Sequence, residues 1–217
     1  MGRPVAGSGR SGSLGERARR AFADWSTLDL VVGAVLAVAV GVLFWAWDLL
    51  WSTAFSAVPF PASYGLVGVW MIGGLIVPYV IRRPGAALLG EMVAAFVSMV
   101  LINQWGAAVL LSGLVQGLGA ELVFGARGWK DYRLPTVLLA GAVAGAFSLL
   151  LDSLVYSYWS QYSIASILAA LVIVAASGAV LGGLVSKVVA DALLRTGVLG
   201  GLAISKERRA STAGGPR

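Results

Sequence analysis

The sequence predicts an all-α membrane protein of six transmembrane helices with cytoplasmic N- and C-termini, and three observations carry that prediction. The 217 residues have a mean hydropathy of +0.87 and are 59% hydrophobic but only 12% charged, about half the charged share of an average soluble domain. Apolar stretches of roughly 20 residues, the length a helix needs to cross the hydrocarbon core, recur along the chain. The 16 Lys and Arg residues all fall on one side of the resulting map.

Residues 1–27 are rich in Gly, Ser and Arg and poor in large apolar side chains, so they are expected to form a disordered basic arm. The first apolar run, Leu30 to Trp47, holds 18 uncharged residues. It exceeds the apolar region of a cleaved signal peptide and further spans follow, so it reads as a membrane helix. Charges and turn residues divide the rest, giving spans at about 28–50, 64–81, 85–102, 107–126, 134–157 and 164–190. Pro59 and Pro61 precede span two, Arg82-Arg83-Pro84-Gly85 precedes span three, Asn103 to Gly106 precedes span four and Lys130 to Pro135 precedes span five. The break at 157–163, Ser-Tyr-Trp-Ser-Gln-Tyr-Ser, is the softest. The domain organisation is therefore an arm over 1–27, a membrane domain over 28–195 and a cytoplasmic tail over 196–217.

Five Lys and Arg residues lie in the N-terminal arm, two at Arg82 and Arg83, three at Arg127, Lys130 and Arg133, and six from Lys187 onward. The 1–2, 3–4 and 5–6 connections have none. A wrong span count would scatter these charges over both faces, so the partition supports six spans with cytoplasmic termini by the positive-inside rule. The net charge of +6 is then a topology signal, and no nucleic-acid partner is expected.

Cys and His are both absent, which excludes disulfides, thiolate nucleophiles, imidazole bases and the usual Zn or haem ligands. Lys130, Lys187 and Lys206 are the only lysines and none follows the glycine spacing of a phosphate-binding loop. A Ser-His-Asp triad is impossible without His. Much of enzyme chemistry is thereby excluded, and neither a cofactor nor a metal site is expected.

The outer connections hold Trp51, Phe55, Phe60, Tyr158, Trp159 and Tyr162, with Trp45 and Trp47 at the same level of span one. An interface belt of aromatic rings is the plainer reading, and a lid over a ligand pocket the functional one. Small residues recur every four positions at Gly33-Ala37-Gly41, Gly113-Gly117, Gly141-Gly145 and Gly178-Gly182, a spacing that makes flat faces for close helix packing. The last three suit packing within the chain. The Gly33, Ala37, Gly41 stripe of span one, flanked by Val and Leu, is the candidate face for docking a partner subunit.

Ionisable residues within the membrane are costly and usually face the bundle interior, so Asp48, Glu91, Glu121 and Asp152 are candidates for function. Gly141, Gly145, Ser148, Asp152 and Tyr156 form one small and polar stripe at three-to-four spacing, expected to face a cavity. Asp48 is either a solvated helix-end carboxylate or part of the pocket mouth. Glu91 and Glu121, on antiparallel neighbours, lie roughly 10 Å and 8 Å from the cytoplasmic ends of their helices at about 1.5 Å per residue. They are read as inward-facing, either protonated, or paired with snorkelling Arg82, Arg83 or Arg127. Gln116 falls nearer the midplane, and Asn103, Gln104 and Trp105 form the outer turn between spans three and four. Carboxylates, amides and aromatic rings without a cation suit a flat, hydrogen-bonding ligand that is neutral or positive.

Three strings occur in order: Arg82-Arg83-Pro84-Gly85-Ala86-Ala87 with Glu91, Asn103-Gln104-Trp105-Gly106, and Gln116-Gly117-Leu118-Gly119-Ala120-Glu121-Leu122-Val123-Phe124. In a six-span chain, they resemble the YkoE family of substrate-binding S-components of energy-coupling factor (ECF) transporters, over about residues 28–195. The resemblance implies a bacterial plasma-membrane protein that captures thiamine or its hydroxymethylpyrimidine precursor at the outer face. It also implies a transmembrane coupling (T) subunit and two ABC ATPase subunits as partners, ATP hydrolysis falling to the latter. Joined to the residue reading, it gives a site in which Gln116, Asn103, Gln104 and Asp152 hydrogen-bond the ligand and Trp105 and Trp159 stack on it. Tyr156 and Asp48 lie nearby, and Glu121 and Glu91 serve either binding or coupling. Two other classes stay open: a stand-alone proton-coupled carrier or channel relaying protons through the buried carboxylates, and an intramembrane enzyme using Glu91 and Glu121 as an acid–base pair.

Overall fold

The computed structural model describes residues 25–207, all helical or in turns, with no strand among the described residues. The basic arm expected over 1–27 falls outside the described residues up to position 24, as does the tail from position 208. Helix α1 spans Thr27–Thr53. Ser26 starts it with a capping box: its hydroxyl accepts from the Asp29 N–H at 3.1 Å and the Asp29 carboxylate accepts from the Ser26 N–H at 3.0 Å. One face of α1 is buried through Gly33, Ala37, Val40, Gly41, Phe44 and Asp48, while Val31, Val35, Val38 and Val42 on the other face are exposed, as a lipid-facing stripe requires.

The second stretch begins as a 3-10 helix, Ala62–Met71, and continues as α2, Gly73–Ile81, to the left-handed cap residue Arg82. Every residue of α2 is buried. It is the axis around which the bundle closes, consistent with an all-apolar sequence having no polar face. Helix α3 is Ala86–Val100, α4 is Ala108–Ala126 and α5 is Leu134–Val155. A single turn, α6, at Tyr158–Gln161 leads into α7, Ile164–Ser177, which runs through a π-helical segment, Gly178–Leu184, into α8, Val185–Arg195.

Five stretches are long and apolar enough to cross a bilayer: Thr27–Thr53, Ala62–Ile81, Ala108–Ala126, Leu134–Val155 and Ile164–Arg195. Helix α3 is apolar but has only 15 residues, about 22 Å against a hydrocarbon core of about 30 Å. Its limits are set locally. Gly85, with φ +83°, precedes it, and after Val100 the chain turns through Ile102, with φ +66°, a conformation that costs a β-branched residue steric strain. Span six runs past the expected residue 190 to Arg195. Beyond it the chain folds back, burying Leu199, Leu202 and Ile204, so residues expected as tail belong in part to the packed body.

The glycine spacing has a direct physical cause where α5 crosses the π-helical segment. A Cβ on Gly141 would overlap the carbonyl oxygen of Gly178, and the reverse holds as well. The two backbones touch, which only glycine permits.

Candidate functional site

Residues of α3, α4 and α5 converge beneath the ends of the helices that carry no Lys or Arg. Along α4, Val109, Ser112, Gly113 and Gln116 share one face; along α3, Glu91 and Ala95 do; along α5, Ser148 and Asp152 do. Small residues bring α3 and α4 together. A Cβ on Gly113 would sit 2.8 Å from the Ala95 Cβ, and one on Gly117 would sit 3.1 Å from the Glu91 Cβ. This close approach lets Gln116 meet Glu91. These eight positions of α3, α4 and α5 line one cavity of about 550 Å³, joined by Phe44, Trp51, Tyr64, Trp70, Trp105 and Tyr158.

The inner end of the cavity is a hydrogen-bonded cluster. Glu91 is 1% exposed, and its Oε2 accepts from the Gly74 N–H at 2.5 Å, a donor available because α2 begins beside it. The neighbours orient the Gln116 amide so that its nitrogen donates to the Trp70 carbonyl and to Glu91 Oε1, each at 3.2 Å, and its oxygen accepts from the Ser148 hydroxyl at 3.0 Å. One side wall is aromatic: Trp70 packs against Trp51 with centroids 4.9 Å apart and edge-on against Trp105 at 5.3 Å. The opposite wall carries Asp152, whose Oδ2 accepts from the Tyr64 hydroxyl at 2.7 Å. Over the mouth, Phe60 stacks on Tyr162 at 4.0 Å and meets Tyr64 and Tyr158 edge-on, joining the 1–2 and 5–6 connections. Among the described residues, no Lys or Arg lines this cavity. The arrangement offers aromatic faces, two carboxylates, an amide and hydroxyls, which suits a flat ligand that is neutral or cationic.

Of the ten residues named as substrate-site candidates in the sequence, Gln116, Trp105, Asp152, Tyr156 and Glu91 line the cavity. The others lie elsewhere. Asp48, 3% exposed, is no solvated helix end: it accepts from the Trp70 indole N–H at 2.8 Å and the Ser98 hydroxyl at 2.6 Å. Asn103 bonds the Ser98 hydroxyl at 3.0 Å and accepts from the Trp105 N–H at 2.9 Å. Gln104 and Trp159 are exposed and outside the cavity, so neither is placed to touch a ligand there.

Glu121 is likewise no partner of Glu91, and the two carboxylates share no hydrogen bond among the described residues. Glu121 accepts from the Gly85 N–H at 2.7 Å, the Ala87 N–H at 3.0 Å and the Trp129 indole at 2.6 Å. It caps the start of α3 from the neighbouring helix, supplying acceptors for donors a helix N-terminus leaves free. Among the described residues neither glutamate takes an arginine: Arg82 pairs with Glu207, and Arg83 with Asp29 at 3.3 Å. Gly33, Ala37 and Gly41 face inward. A Cβ on Gly33 would lie 2.5 Å from Ile81 Cδ1, one on Gly41 would lie 2.5 Å from the Val97 Cβ, and Ala37 is fully buried. The chain's own α2 and α3 fill this face, leaving no room for a partner helix. On the basic side, hydrogen bonds from Arg133 and Thr136 hold the Asp131 carboxyl well below the usual carboxylate range.

Trp70 and Tyr64 are among the cavity residues that sequence reasoning missed. Both lie on the 3-10 stretch, where α-helical spacing does not say which way a side chain faces. The available signal was chemical, since a Trp amid apolar residues needs an acceptor for its N–H and Asp48 was free to supply one.

A cavity among apolar helices, lined by aromatic rings and a few hydrogen-bonding groups, is the form of a membrane protein that binds a small molecule. Residues 28–147 match the family described as ABC-type cobalt transport system, permease component. The putative HMP/thiamine permease protein YkoE of Bacillus subtilis (strain 168) is 40% identical over 187 residues, 85% of this chain and 92% of that protein. A crystal structure of an S-component of ECF transporter matches with a TM-score of 0.82 at 38% identity, covering 89% of this chain and 100% of that one. The chain belongs to the YkoE family of ECF transporter S-components. It is a multi-pass protein of the plasma membrane and a transport subunit, not an enzyme.

Proposed function

We propose that this chain captures thiamine or its hydroxymethylpyrimidine precursor at the extracellular face, for ATP-driven uptake by a T subunit and two ABC ATPase subunits. The observation that carries the substrate is the cavity itself: tryptophans beside two carboxylates, an amide and hydroxyls, with no basic side chain in its lining. Thiamine is a cation bearing an aminopyrimidine ring, and such a lining can stack on the ring, accept from the amino group and neutralise the charge. The name of the Bacillus subtilis relative points to the same ligands. Cobalt, in the description of the matching family, fits less well. The chain has no His or Cys, and among the described residues no three Asp or Glu cluster as a metal site would need.

In this role Gln116, Asp152 and Glu91 hydrogen-bond the ligand, and Trp70 and Trp105 stack on it. The membrane domain comprises six spans, α3 being the short one, with both termini in the cytoplasm. The one-sided distribution of Lys and Arg supports this topology. The cavity then opens outward, at the end without basic residues. A carrier or enzyme relaying protons between Glu91 and Glu121 is disfavoured by their separate hydrogen-bond partners.

Gln116→Ala tests the site. A buried hydrogen bond lost to a ligand costs about 1–3 kcal/mol, so affinity for thiamine is expected to fall roughly tenfold or more. The variant should still elute as a monodisperse folded protein. Unchanged affinity in folded protein would remove Gln116 from the site.

A further inference from the structure

We infer that Asp48 is a positioning residue: it holds Trp70 and Trp105 as one wall of the cavity without touching the ligand. The basis is a continuous chain of hydrogen bonds. Trp70 Nε1–H donates to Asp48 Oδ1 at 2.8 Å, and Ser98 Oγ–H donates to Asp48 Oδ2 at 2.6 Å. Asn103 Nδ2–H donates to Ser98 Oγ at 3.0 Å, and the Trp105 backbone N–H donates to Asn103 Oδ1 at 2.9 Å. The two ends of this chain are the tryptophans that meet edge-on at 5.3 Å in the cavity wall. Trp70 and Trp105 line the cavity, whereas Asp48, Ser98 and Asn103 do not.

Four separate elements meet in the network. Asp48 comes from α1, Ser98 from α3, Trp70 from the 3-10 stretch, and Asn103 and Trp105 from the turn between α3 and α4. That turn contains Ile102 at φ +66°, 82% exposed, so its own side chain gains nothing from packing there. Asn103 is what ties the turn to the body. Ser98 is fully buried, and its hydroxyl has one proton, already given to Asp48, leaving its lone pairs for Asn103. Only an acceptor at position 48 lets this hydroxyl serve both neighbours. A buried network with every member satisfied fixes one geometry, and removing its central acceptor releases the parts together.

The inference rests on the cavity being the ligand site, and two independent readouts keep the two claims apart. The first is ligand-free. Near-ultraviolet circular dichroism reports the edge-on Trp70–Trp105 pair, and its signal is expected to weaken in Asp48→Asn and in Asn103→Ala, though neither removes a tryptophan. The second is thiamine affinity, expected to fall about tenfold in each, as loss of a buried hydrogen bond would produce. The double variant should lose little more than the larger single effect, because both act through one network.

Ser98→Ala, the smallest deletion in the chain of bonds, should reproduce both effects if the other variants do not fold. An unchanged dichroism spectrum with unchanged affinity would overturn the inference. So would fully additive losses, or a loss of affinity at Asp48 alone with Asn103→Ala and Ser98→Ala neutral, which would mean direct contact with ligand. If the unaltered protein binds neither thiamine nor hydroxymethylpyrimidine, the function fails, while the dichroism comparison still decides the positioning role.

Discussion

A Trp70→Ala variant is expected to lose about a hundredfold in affinity for thiamine, the largest binding effect of any single substitution in this site. Two losses combine. The indole face is one of the stacking surfaces of the cavity, and stacking on a heteroaromatic base contributes about 1–3 kcal/mol. Its N–H is a hydrogen-bond partner of buried Asp48, at 2.8 Å, so truncation leaves that oxygen short of a donor and frees Trp105, which leans on the same ring at 5.3 Å. Together these reach about 3 kcal/mol, or roughly two decades of affinity. Trp70→Phe keeps a ring but no donor and should fall between the two. Isothermal titration in detergent measures both. Equal affinity for Trp70→Ala and the parent protein would place the ligand away from this wall.

The largest effect on stability is expected at the other end of the bundle. Glu121 alone accepts from two backbone N–H groups at the start of α3 and from the Trp129 indole, all within 3.0 Å. Glu121→Ala orphans three donors at once. With each partly buried donor worth about 1 kcal/mol, unfolding should become easier by about 3 kcal/mol. Thermal unfolding in detergent would show it, and Glu121→Gln, which keeps one acceptor, should retain part of the loss. Ligand affinity of the folded fraction should stay within about twofold, since Glu121 does not line the cavity. A stable Glu121→Ala protein that no longer binds would instead give Glu121 a part in binding or coupling.

The outline of the bundle was readable because it depends on composition alone. Apolar runs, prolines at Pro59, Pro61, Pro84 and Pro135, and one-sided basic residues all follow from the cost of placing polar groups in hydrocarbon. The helix limits that departed from the sequence reading depend instead on single backbone conformations. Ile102 in the left-handed region cuts α3 short, and Ser157 at φ +53° precedes α6, and neither residue type announces such a turn.

Helical spacing turned Gln116, Asp152 and Glu91 toward the cavity, with Tyr156 at the end of α5 beside them, because every fourth side chain of a regular α-helix repeats its direction. Spacing failed where a polar residue had a closer partner inside the protein than any ligand. Asp48 and Asn103 satisfy each other's neighbours through Ser98, and Glu121 takes backbone donors 36 and 34 residues away at the start of the preceding helix. The small stripe of α1 was read as a face for docking a partner subunit, but the surface it packs on is the chain's own Ile81 and Val97. Which surface a flat face meets is a tertiary fact that a linear pattern does not encode.

Direct titration of the purified full-length protein with thiamine and with hydroxymethylpyrimidine, following quenching of its 8 tryptophans, bears most directly on the proposed substrate. Trp70, Trp51 and Trp105 line the cavity, so a stacked ligand should quench a fraction of the emission saturably, with a Kd below about micromolar, and in Trp70→Ala the response should be smaller and shifted to roughly hundredfold higher ligand concentration. A folded protein whose emission responds to neither compound, with calorimetry likewise silent, would contradict the assignment of this cavity to thiamine or its precursor.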